Sequence, residues 1–285
     1  MTRTAPRRHP HGTAASPPLV RKEQFGPAVC DAATSGHPAT LNAGEEWSDD
    51  MTELPRVPDP LPHIQLLDGF RLAFGPAPVH VVPGAQRLLA LLALREGPVP
   101  RGIAAALLWP EATARRAAAC LRSSLWRLGK PIPLVAAVDD ALTLATGVDV
   151  DFRRACALTT EPDATPGAVA VLKADLLPGW DQPWVRTERD WWGEARLRAL
   201  EVLSERFRSH GDHHHAHQAA LAAVQTDPLR ESAHRTLVEL HLADGNPAQA
   251  VRQYQNYRAL LRAELGLEPS AQIHDLMRPL LRSSG

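Results

Sequence analysis

The C-terminal part of this 285-residue chain contains a recurring spacing of 34 residues. Gly211 and Gly245 lie 34 residues apart, and so do Ala216 and Ala250. Each of the two glycines stands among polar residues, between apolar segments with helical periodicity. Because glycine readily adopts the left-handed conformation that ends a helix, the spacing predicts two successive helix–turn–helix pairs of equal length.

Helix pairs of this length are tetratricopeptide-like, and such pairs stack side by side. In the same register Leu203 corresponds to Leu237, so an apolar residue stands at the same point of each first helix. Each pair leaves an apolar face for a neighbour to cover, and Trp180–Glu205 and Ile273–Leu281 can supply the covering helices. We therefore expect an all-α repeat domain over residues 170–283.

A second pattern, of short strands and short helices, occupies residues 62–153. Glycine and proline residues with turn-forming character separate its segments. The predicted segments are strands at Ile64–Leu72 and Val79–Val82, helices at Leu88–Leu94, Arg101–Trp109 and Ala112–Gly129, and a hairpin of Leu134–Val138 and Leu142–Leu144. This order is that of a winged helix-turn-helix, so the predicted fold class is mainly α with a small β component.

The composition sets the remaining boundaries. The first 60 residues are rich in proline, with scattered serine, threonine and glycine, and they predict a disordered tail over residues 1–60. The chain has no apolar run long enough to cross a bilayer. The arginines near its start are not followed by the apolar segment of a secretory signal. We expect a cytoplasmic protein without membrane contact.

The third helix of the predicted winged helix carries charge of one sign. From Ala112 to Lys130 the sequence holds five cations and no acidic residue, in a chain whose formal net charge is −1. When Leu121, Leu125 and Leu128 face the core, a helical repeat of about 100° per residue turns the cations outward. The segment therefore predicts an exposed, purely basic helix face.

Such a face fits the major groove of DNA, where guanidinium groups bond to guanine edges and to phosphates. We predict a site for double-stranded DNA formed by Arg115, Arg116, Arg122, Ser123 and Arg127. The alternative is a repeat-domain scaffold whose winged helix contacts proteins only. A scaffold does not need a face of a single sign, so this face is the feature that separates the two hypotheses.

Two sets of motifs resemble one family of bacterial regulators. Leu67–Leu72 and Ala119–Leu128 resemble the OmpR-type winged helix of the Streptomyces antibiotic regulatory protein (SARP) family. Leu176–Trp180, Asp227–Arg235 and Arg262–Ser270 resemble the signature runs of the bacterial transcriptional activator domain, which follows the winged helix in that family. The two matches also stand in the order that the family has.

The resemblance implies an activator of transcription. Family members bind repeated sequences in promoters of specialised-metabolite, often antibiotic, gene clusters and help to recruit RNA polymerase. The expected partners are therefore double-stranded DNA and RNA polymerase, and a homo-oligomer on the DNA is compatible with them. The hairpin tip Asp139-Asp140 departs from the basic wings that reach a minor groove, which argues against a wing contact. The chain has no GxxxxGK[ST] motif for a nucleotide, and we expect no cofactor.

Other residues that could bind a metal, line a groove or catalyse a reaction have simpler interpretations. His213 and His217 form an i, i+4 pair that could chelate a metal, but the sequence places no Cys, Asp or Glu to complete the shell. We expect a tolerant surface in which His217 packs, and no metal. The tryptophans are expected to pack rather than to line a groove or meet DNA, and they are Trp126, Trp180, Trp184, Trp191 and Trp192. No catalytic spacing is present, so we predict a protein that is not an enzyme and has no catalytic residues, with a hydrolase using the histidines as a remote alternative.

Overall fold

The computed structural model of the chain describes residues 61–128, 134–162 and 165–282. All of them fall within one compact unit, Arg56–Gly285. The tail expected over residues 1–60 and the cation Lys130 lie outside the described residues. In the described part, no helix has both the length and the hydropathy to span a bilayer.

The β-structure forms two small sheets. The strands are β1 (Pro62–Gln65), β2 (Arg71–Phe74), β3 (Ala77–Val79), β4 (Val99–Pro100), β5 (Val135–Val138), β6 (Ala141–Leu144) and β7 (Asp149–Val150). One sheet has the strand order β3-β2-β1-β7, and the other has the order β4-β6-β5. All neighbouring strands are antiparallel except β1 and β7, which are parallel.

The helices divide between two parts of the chain. The winged helix (residues 62–150) contains α1 (Pro83–Ala93), α2 (Arg101–Leu108) and α3 (Ala114–Leu128). The helical array (residues 151–282) contains α4 (Asp151–Thr160), α5 (Pro166–Lys173), α6 (Pro183–Ser209), α7 (His213–Thr226), α8 (Glu231–Ala243), α9 (Pro247–Leu265) and α10 (Ala271–Arg282). The predicted fold class, a winged helix-turn-helix followed by an all-α repeat, is confirmed. The domain boundaries 62–153 and 170–283 stay predictions.

The strand predicted over Ile64–Leu72 is wrong, because two antiparallel strands stand there. Asp68 and Gly69 have positive φ values of 58° and 123°, and they turn the chain between β1 and β2. The second predicted strand, Val79–Val82, is also too long, since only Val79 belongs to β3. The Asp-Gly pair is a strong turn signal, which outweighs the continuous apolar run around it.

A central helix organises the winged helix. The side chains of Leu88, Leu89 and Leu92 on α1 are 0 to 1% exposed, so neighbouring elements cover this helix on several sides. The first turn of α1 lies against α3 at Gly84, where an added Cβ would stand 3.0 Å from the Ser124 hydroxyl oxygen. The absence of a side chain at Gly84 therefore permits the close approach that holds one face of α3 against the core.

The helical array has the predicted repeat. The turn between α6 and α7 contains Gly211 with φ 76°, and the turn between α8 and α9 contains Gly245 with φ 71°. Leu203 and Leu237, which are equivalent in the 34-residue register, are both buried. Each glycine therefore reverses the chain direction between the two helices of a pair, as its left-handed conformation allows.

The winged helix and the helical array share one hydrophobic core. Buried side chains of both parts, from Ile64 in β1 to Leu240 in α8, form one continuous cluster. A second cluster, which includes Tyr257 and Met277, lies under α9 and α10. At the junction, the Asp151 carboxylate accepts hydrogen bonds from the backbone amides of Leu66 at 2.8 Å and of Leu67 at 3.1 Å. Burial raises the pKa of this carboxyl, and the backbone hydrogen bonds oppose that shift.

Candidate nucleic-acid interface

One face of α3 is buried and fixes the direction of the opposite face. The buried residues of this helix are Ala117, Leu121, Ser124 and Leu128. They recur at intervals of three or four residues and therefore form a single stripe along the helix. Leu125, which the sequence placed in the stripe, is only half-buried at its edge. The stripe leaves the other side of α3 turned away from the core.

The predicted DNA-contacting residues all lie on that outer side. Their side chains are exposed, and they are Arg115, Arg116, Arg122, Ser123 and Arg127. Measured around the helix at about 100° per residue, Arg115 and Arg122 form one flank of the outer face, and Arg116 and Arg127 form the other. The structure therefore brings the five predicted residues together on one surface.

The charge of this surface is not neutralised from within the described residues. Among residues 61–128, 134–162 and 165–282, none of the four guanidinium groups has an ion-pair partner. The acidic hairpin tip is directed to another cation, because the Asp140 carboxylate lies 3.9 Å from Arg101. Four unpaired guanidinium groups on one helix face give a local positive potential in a chain that has almost no net charge.

The N-terminal end of α3 adds to this potential. The hydroxyl oxygen of Thr113 accepts a hydrogen bond from the Arg116 backbone amide at 3.4 Å, and the first turn contains no acidic residue. The helix dipole places a partial positive charge at this end. The short connection from α2, which includes the hydrogen bond from the Ala112 amide to the Trp109 carbonyl, completes a helix-turn-helix.

The prediction that Trp126 packs at the domain edge is wrong. Its side chain is 83% exposed, the largest exposure among the large apolar residues of the described chain. The helical position could have indicated this result, since residue 126 falls between the two arginine flanks and far from the Leu121 side of the helix. Trp126 is therefore part of the outer face of α3.

The helical array contains four of the tryptophans that were expected to pack. Trp184 and Trp192 are buried, which confirms packing for these two, and Trp180 is half-buried against Phe70. The indole of Trp192 donates a hydrogen bond to the Ala174 carbonyl at 3.0 Å. Trp191 is 43% exposed and meets Phe152 edge-on. These residues stabilise the junction of α4, α5 and α6.

The histidine cluster has an acidic partner that the sequence interpretation missed. Asp244, at the end of α8, lies 2.7 Å from Nδ1 of His213 and 2.9 Å from Nε2 of His217. The sequence interpretation did not foresee this contact, because the fold brings Asp244 from the neighbouring repeat. Within the described residues, no group of three or more His, Cys, Asp or Glu side chains has the arrangement of a metal site.

Cys156, in the helical array, has an unreactive thiol. Burial raises the pKa of the Cys156 thiol to about 12, with smaller contributions from Glu188 and Glu96. At neutral pH this thiol stays protonated, and a protonated thiol is a poor nucleophile. Among the described residues, the candidate site is the basic face of α3, whose charge suits an anion.

Comparisons with known proteins identify relatives of this chain. Residues 151–281 match the model of the bacterial transcriptional activator domain. Regulatory protein AfsR of Streptomyces coelicolor is 30% identical over 234 residues, which are 76% of this chain and 23% of that protein. Regulatory protein AfsR of Streptomyces griseus is 26% identical over 218 residues, which are 70% of this chain and 22% of that protein. The chain spans less than a quarter of the length of these curated relatives.

A solved structure has the same fold. It is that of Mycobacterium tuberculosis EmbR in complex with a low-affinity phosphopeptide, and it superposes with a TM-score of 0.61. The sequence identity is 20%, and the superposition covers 78% of this chain and 65% of that chain. At this level of identity the likeness extends to the fold alone.

Proposed function

The chain belongs to the SARP-type transcriptional regulators, and on that premise we propose that it binds double-stranded DNA at specific sequences and activates transcription from the promoters it occupies. The observation that carries the proposal is the outer face of α3. It holds four arginines that have no ion-pair partner among the described residues, on a helix without an acidic residue. DNA is a polyanion, so each arginine that meets a phosphate releases counterions and adds affinity.

The geometry of α3 supports a division of work among these arginines. A recognition helix enters the major groove, which is about 12 Å wide, and side chains on its outermost line meet base edges. Side chains nearer the buried stripe, such as those on the flank of Arg116 and Arg127, meet the phosphates on that side of the groove. We assign base contacts to Arg122 and Ser123 and phosphate contacts to Arg116 and Arg127, with Arg115 near the end of the helix that points to the DNA.

The helical array supports contacts with proteins rather than with DNA. Its surface mixes charges of both signs in ion pairs such as Arg258 with Glu268 and Arg208 with Glu205. We propose that this part contacts RNA polymerase, and that the target promoters belong to specialised-metabolite gene clusters with repeated binding sequences. Both statements rest on the family, whose AfsR members are named regulatory proteins.

A selection experiment tests the proposal. The full chain is used to enrich duplexes from a random-sequence pool, and binding to the enriched duplex is measured against unrelated competitor DNA. The test variant replaces Arg115, Arg116, Arg122 and Arg127 by alanine. We expect it to lose the preference for the enriched duplex, because four charge-assisted donors leave one docking surface.

A matched control removes the same charge elsewhere. Four arginines exposed on the helical array are replaced by alanine in the control variant, and they are Arg198, Arg208, Arg252 and Arg278. We expect this variant to retain the preference for the enriched duplex. If the α3 variant is folded by circular dichroism and still prefers that duplex, the DNA site lies elsewhere and the scaffold hypothesis takes its place.

A further inference from the structure

We propose that Trp126 is a specificity-determining residue that contacts the C5-methyl group of a thymine on the floor of the major groove. The inference rests on the proposed function, since it gives a role in DNA recognition to a residue that a purely electrostatic interface does not require. Nothing in the sequence motifs or in the charge pattern of α3 assigns a role to this residue. Its position, its exposure and its neighbours carry the assignment.

The position of Trp126 is central on the outer face. The four buried residues of α3 define the direction of the core, and residue 126 lies about 170° around the helix from the middle of that stripe. Arg122 lies about 130° from the stripe on one side, and Arg127 lies about 90° from it on the other. The indole therefore stands on the line of α3 that points most directly away from the protein.

The indole has no structural role within the described chain. Its side chain is 83% exposed, whereas Trp184 and Trp192 are 5% and 0% exposed. Each of those two tryptophans makes an aromatic contact in the core, and no ring contact or hydrogen bond involves Trp126 among the described residues. A large apolar ring fully open to water contributes little to folding, so its contribution is available to binding.

The charges around the indole identify the occupant as DNA. Arginines flank it on both sides, and no acidic side chain lies on the same helix. A protein partner would have to present carboxylates around an apolar centre, whereas DNA presents two phosphate walls around a groove floor with one kind of apolar group, the thymine methyl. Arg122, assigned to base edges, lies on one side of Trp126, and Arg127, assigned to phosphate, lies on the other. The residue between them is therefore directed at the floor of the groove.

A small residue on the same line makes the approach possible. Ala119 lies about two turns before Trp126 and is also exposed, about 170° from the buried stripe on its other side. On this line the small Ala119 follows the long side chain of Arg115, and the indole of Trp126 projects near the C-terminal end of α3. A helix with this profile enters the groove at its N-terminal half and lays the indole against the base edges where the helix leaves the floor.

The test combines a protein change with a change of one methyl group in the DNA. Thymines of the selected duplex are replaced singly by uracil, which removes the C5-methyl group and leaves base pairing intact. We expect the wild-type chain to lose about fourfold in affinity at one or two thymines, the value for one buried methyl group. Trp126→Ala should bind the duplex more weakly and should be indifferent to uracil at those same thymines.

Two controls separate this result from general damage. Trp191→Ala removes another exposed tryptophan from the helical array and should keep the wild-type sensitivity to uracil. Trp126→Phe keeps an aromatic ring and should recover part of the affinity and of the uracil sensitivity. Trp126→Phe and Trp126→Ala should both unfold at the wild-type temperature, because the Trp126 indole is 83% exposed. Trp191→Ala removes a contact with Phe152 and is used at a temperature at which it is folded by circular dichroism.

The outcomes distinguish the inference from the proposed function. If Trp126→Ala keeps the wild-type response to uracil, the methyl contact is wrong, and a uniform loss of affinity on all duplexes would place the indole against the sugar–phosphate backbone instead. In both cases specific DNA binding by α3 still stands. A wild-type chain that enriches no sequence at all would overturn the proposed function, and the inference with it.

Discussion

Leu67 of the winged helix and Leu176 of the helical array form an antiparallel β-bridge, although 109 positions separate them in the sequence. The bridge is extended by a hydrogen bond from the Leu177 amide to the Leu66 carbonyl at 2.9 Å. All four leucine side chains are buried. The winged helix is therefore joined to the helical array by backbone pairing as well as by apolar contact, which fixes the direction of α3 relative to the repeat helices.

The first prediction concerns truncation. If the two domains were independent, removing residues 160–285 would leave a winged helix that still binds DNA. The removal, however, also takes away Leu172, Leu176 and Leu177, which are 0% exposed and belong to the core shared with the winged helix. At about 1.5–3 kcal/mol for each buried leucine, the loss is comparable with the whole stability of a small domain. We expect thermal unfolding of the 56–159 fragment, followed by circular dichroism, to be non-cooperative or to occur far below the wild-type temperature.

A longer fragment provides the control. A chain that ends at residue 209 keeps α5 and α6 and with them the partners of the winged helix. It should unfold cooperatively and should retain DNA binding if α3 is the recognition helix. A stable 56–159 fragment with the wild-type unfolding temperature would show that the shared core contributes little to the winged helix.

The sequence was informative wherever one element carries the whole pattern. The outer face of α3 follows from residues within a single helix, so Arg115 and Arg127 could be placed on it before any tertiary contact was known. The 34-residue spacing of Gly211 and Gly245 likewise depends on local turn geometry. The Asp-Gly turn was also present in the sequence, but the apolar residues on both sides of it hid the break between β1 and β2.

The remaining features depend on contacts between distant segments. The pairing of Leu67 with Leu176 involves a single residue on each side, which is too short to leave a periodic pattern. Asp244 reaches His213 across 31 positions because two repeats stack, and neither residue indicates the other in the sequence. Trp126 was misplaced for a different reason, since a tryptophan is usually buried and its angular position on α3 was outweighed by that tendency.

The second prediction concerns the carboxylate at the junction. Asp151→Ala leaves the amides of Leu66 and Leu67 without an acceptor at a largely buried position. A buried donor without a partner costs about 1–3 kcal/mol, so we expect the free energy of unfolding to fall by about 2–4 kcal/mol. Urea denaturation gives the value. Asp139→Ala at the exposed hairpin tip is the control, although its positive φ of 52° adds a small change of its own.

The third prediction separates the two kinds of DNA contact. Arg122→Ala should weaken binding to the selected sequence by about 1–3 kcal/mol and should reduce the base preference at one position of that sequence. Arg116→Ala should weaken binding to all sequences and reduce the slope of log affinity against log salt by about one unit. Titrations at several salt concentrations on selected and scrambled duplexes measure both effects. Equal behaviour of the two variants would contradict the division between base and phosphate contacts.

The last prediction concerns pH and the buried imidazole of His234. This side chain is 4% exposed, and its ring stacks on Tyr257 with a centroid distance of 4.3 Å. Its Nε2 lies 2.9 Å from the Pro228 carbonyl oxygen, which fits a donated N–H, and its Nδ1 lies 2.8 Å from the amide nitrogen of Gln253, which fits an acceptor. Both ring nitrogens of the neutral imidazole therefore have a hydrogen-bond partner. A proton added at Nδ1 would face the N–H donor of Gln253 and would have no acceptor there.

Burial lowers the pKa of His234, and the Pro228 carbonyl and two nearby carboxylates oppose the shift only in part. The unfolded chain therefore takes up a proton near the ordinary histidine pKa of about 6.5, while the folded chain does so only at lower pH. The contribution of this residue to stability is complete above pH 6.5 and declines as the pH falls below it. Urea denaturation between pH 8 and pH 5 should show a smaller decline for His234→Gln than for the wild type. The exposed His80→Gln serves as the control, and it should follow the wild-type curve. If His234→Gln loses stability over this range as steeply as the wild type does, another group carries the acid sensitivity, because a glutamine at this position has no proton to gain.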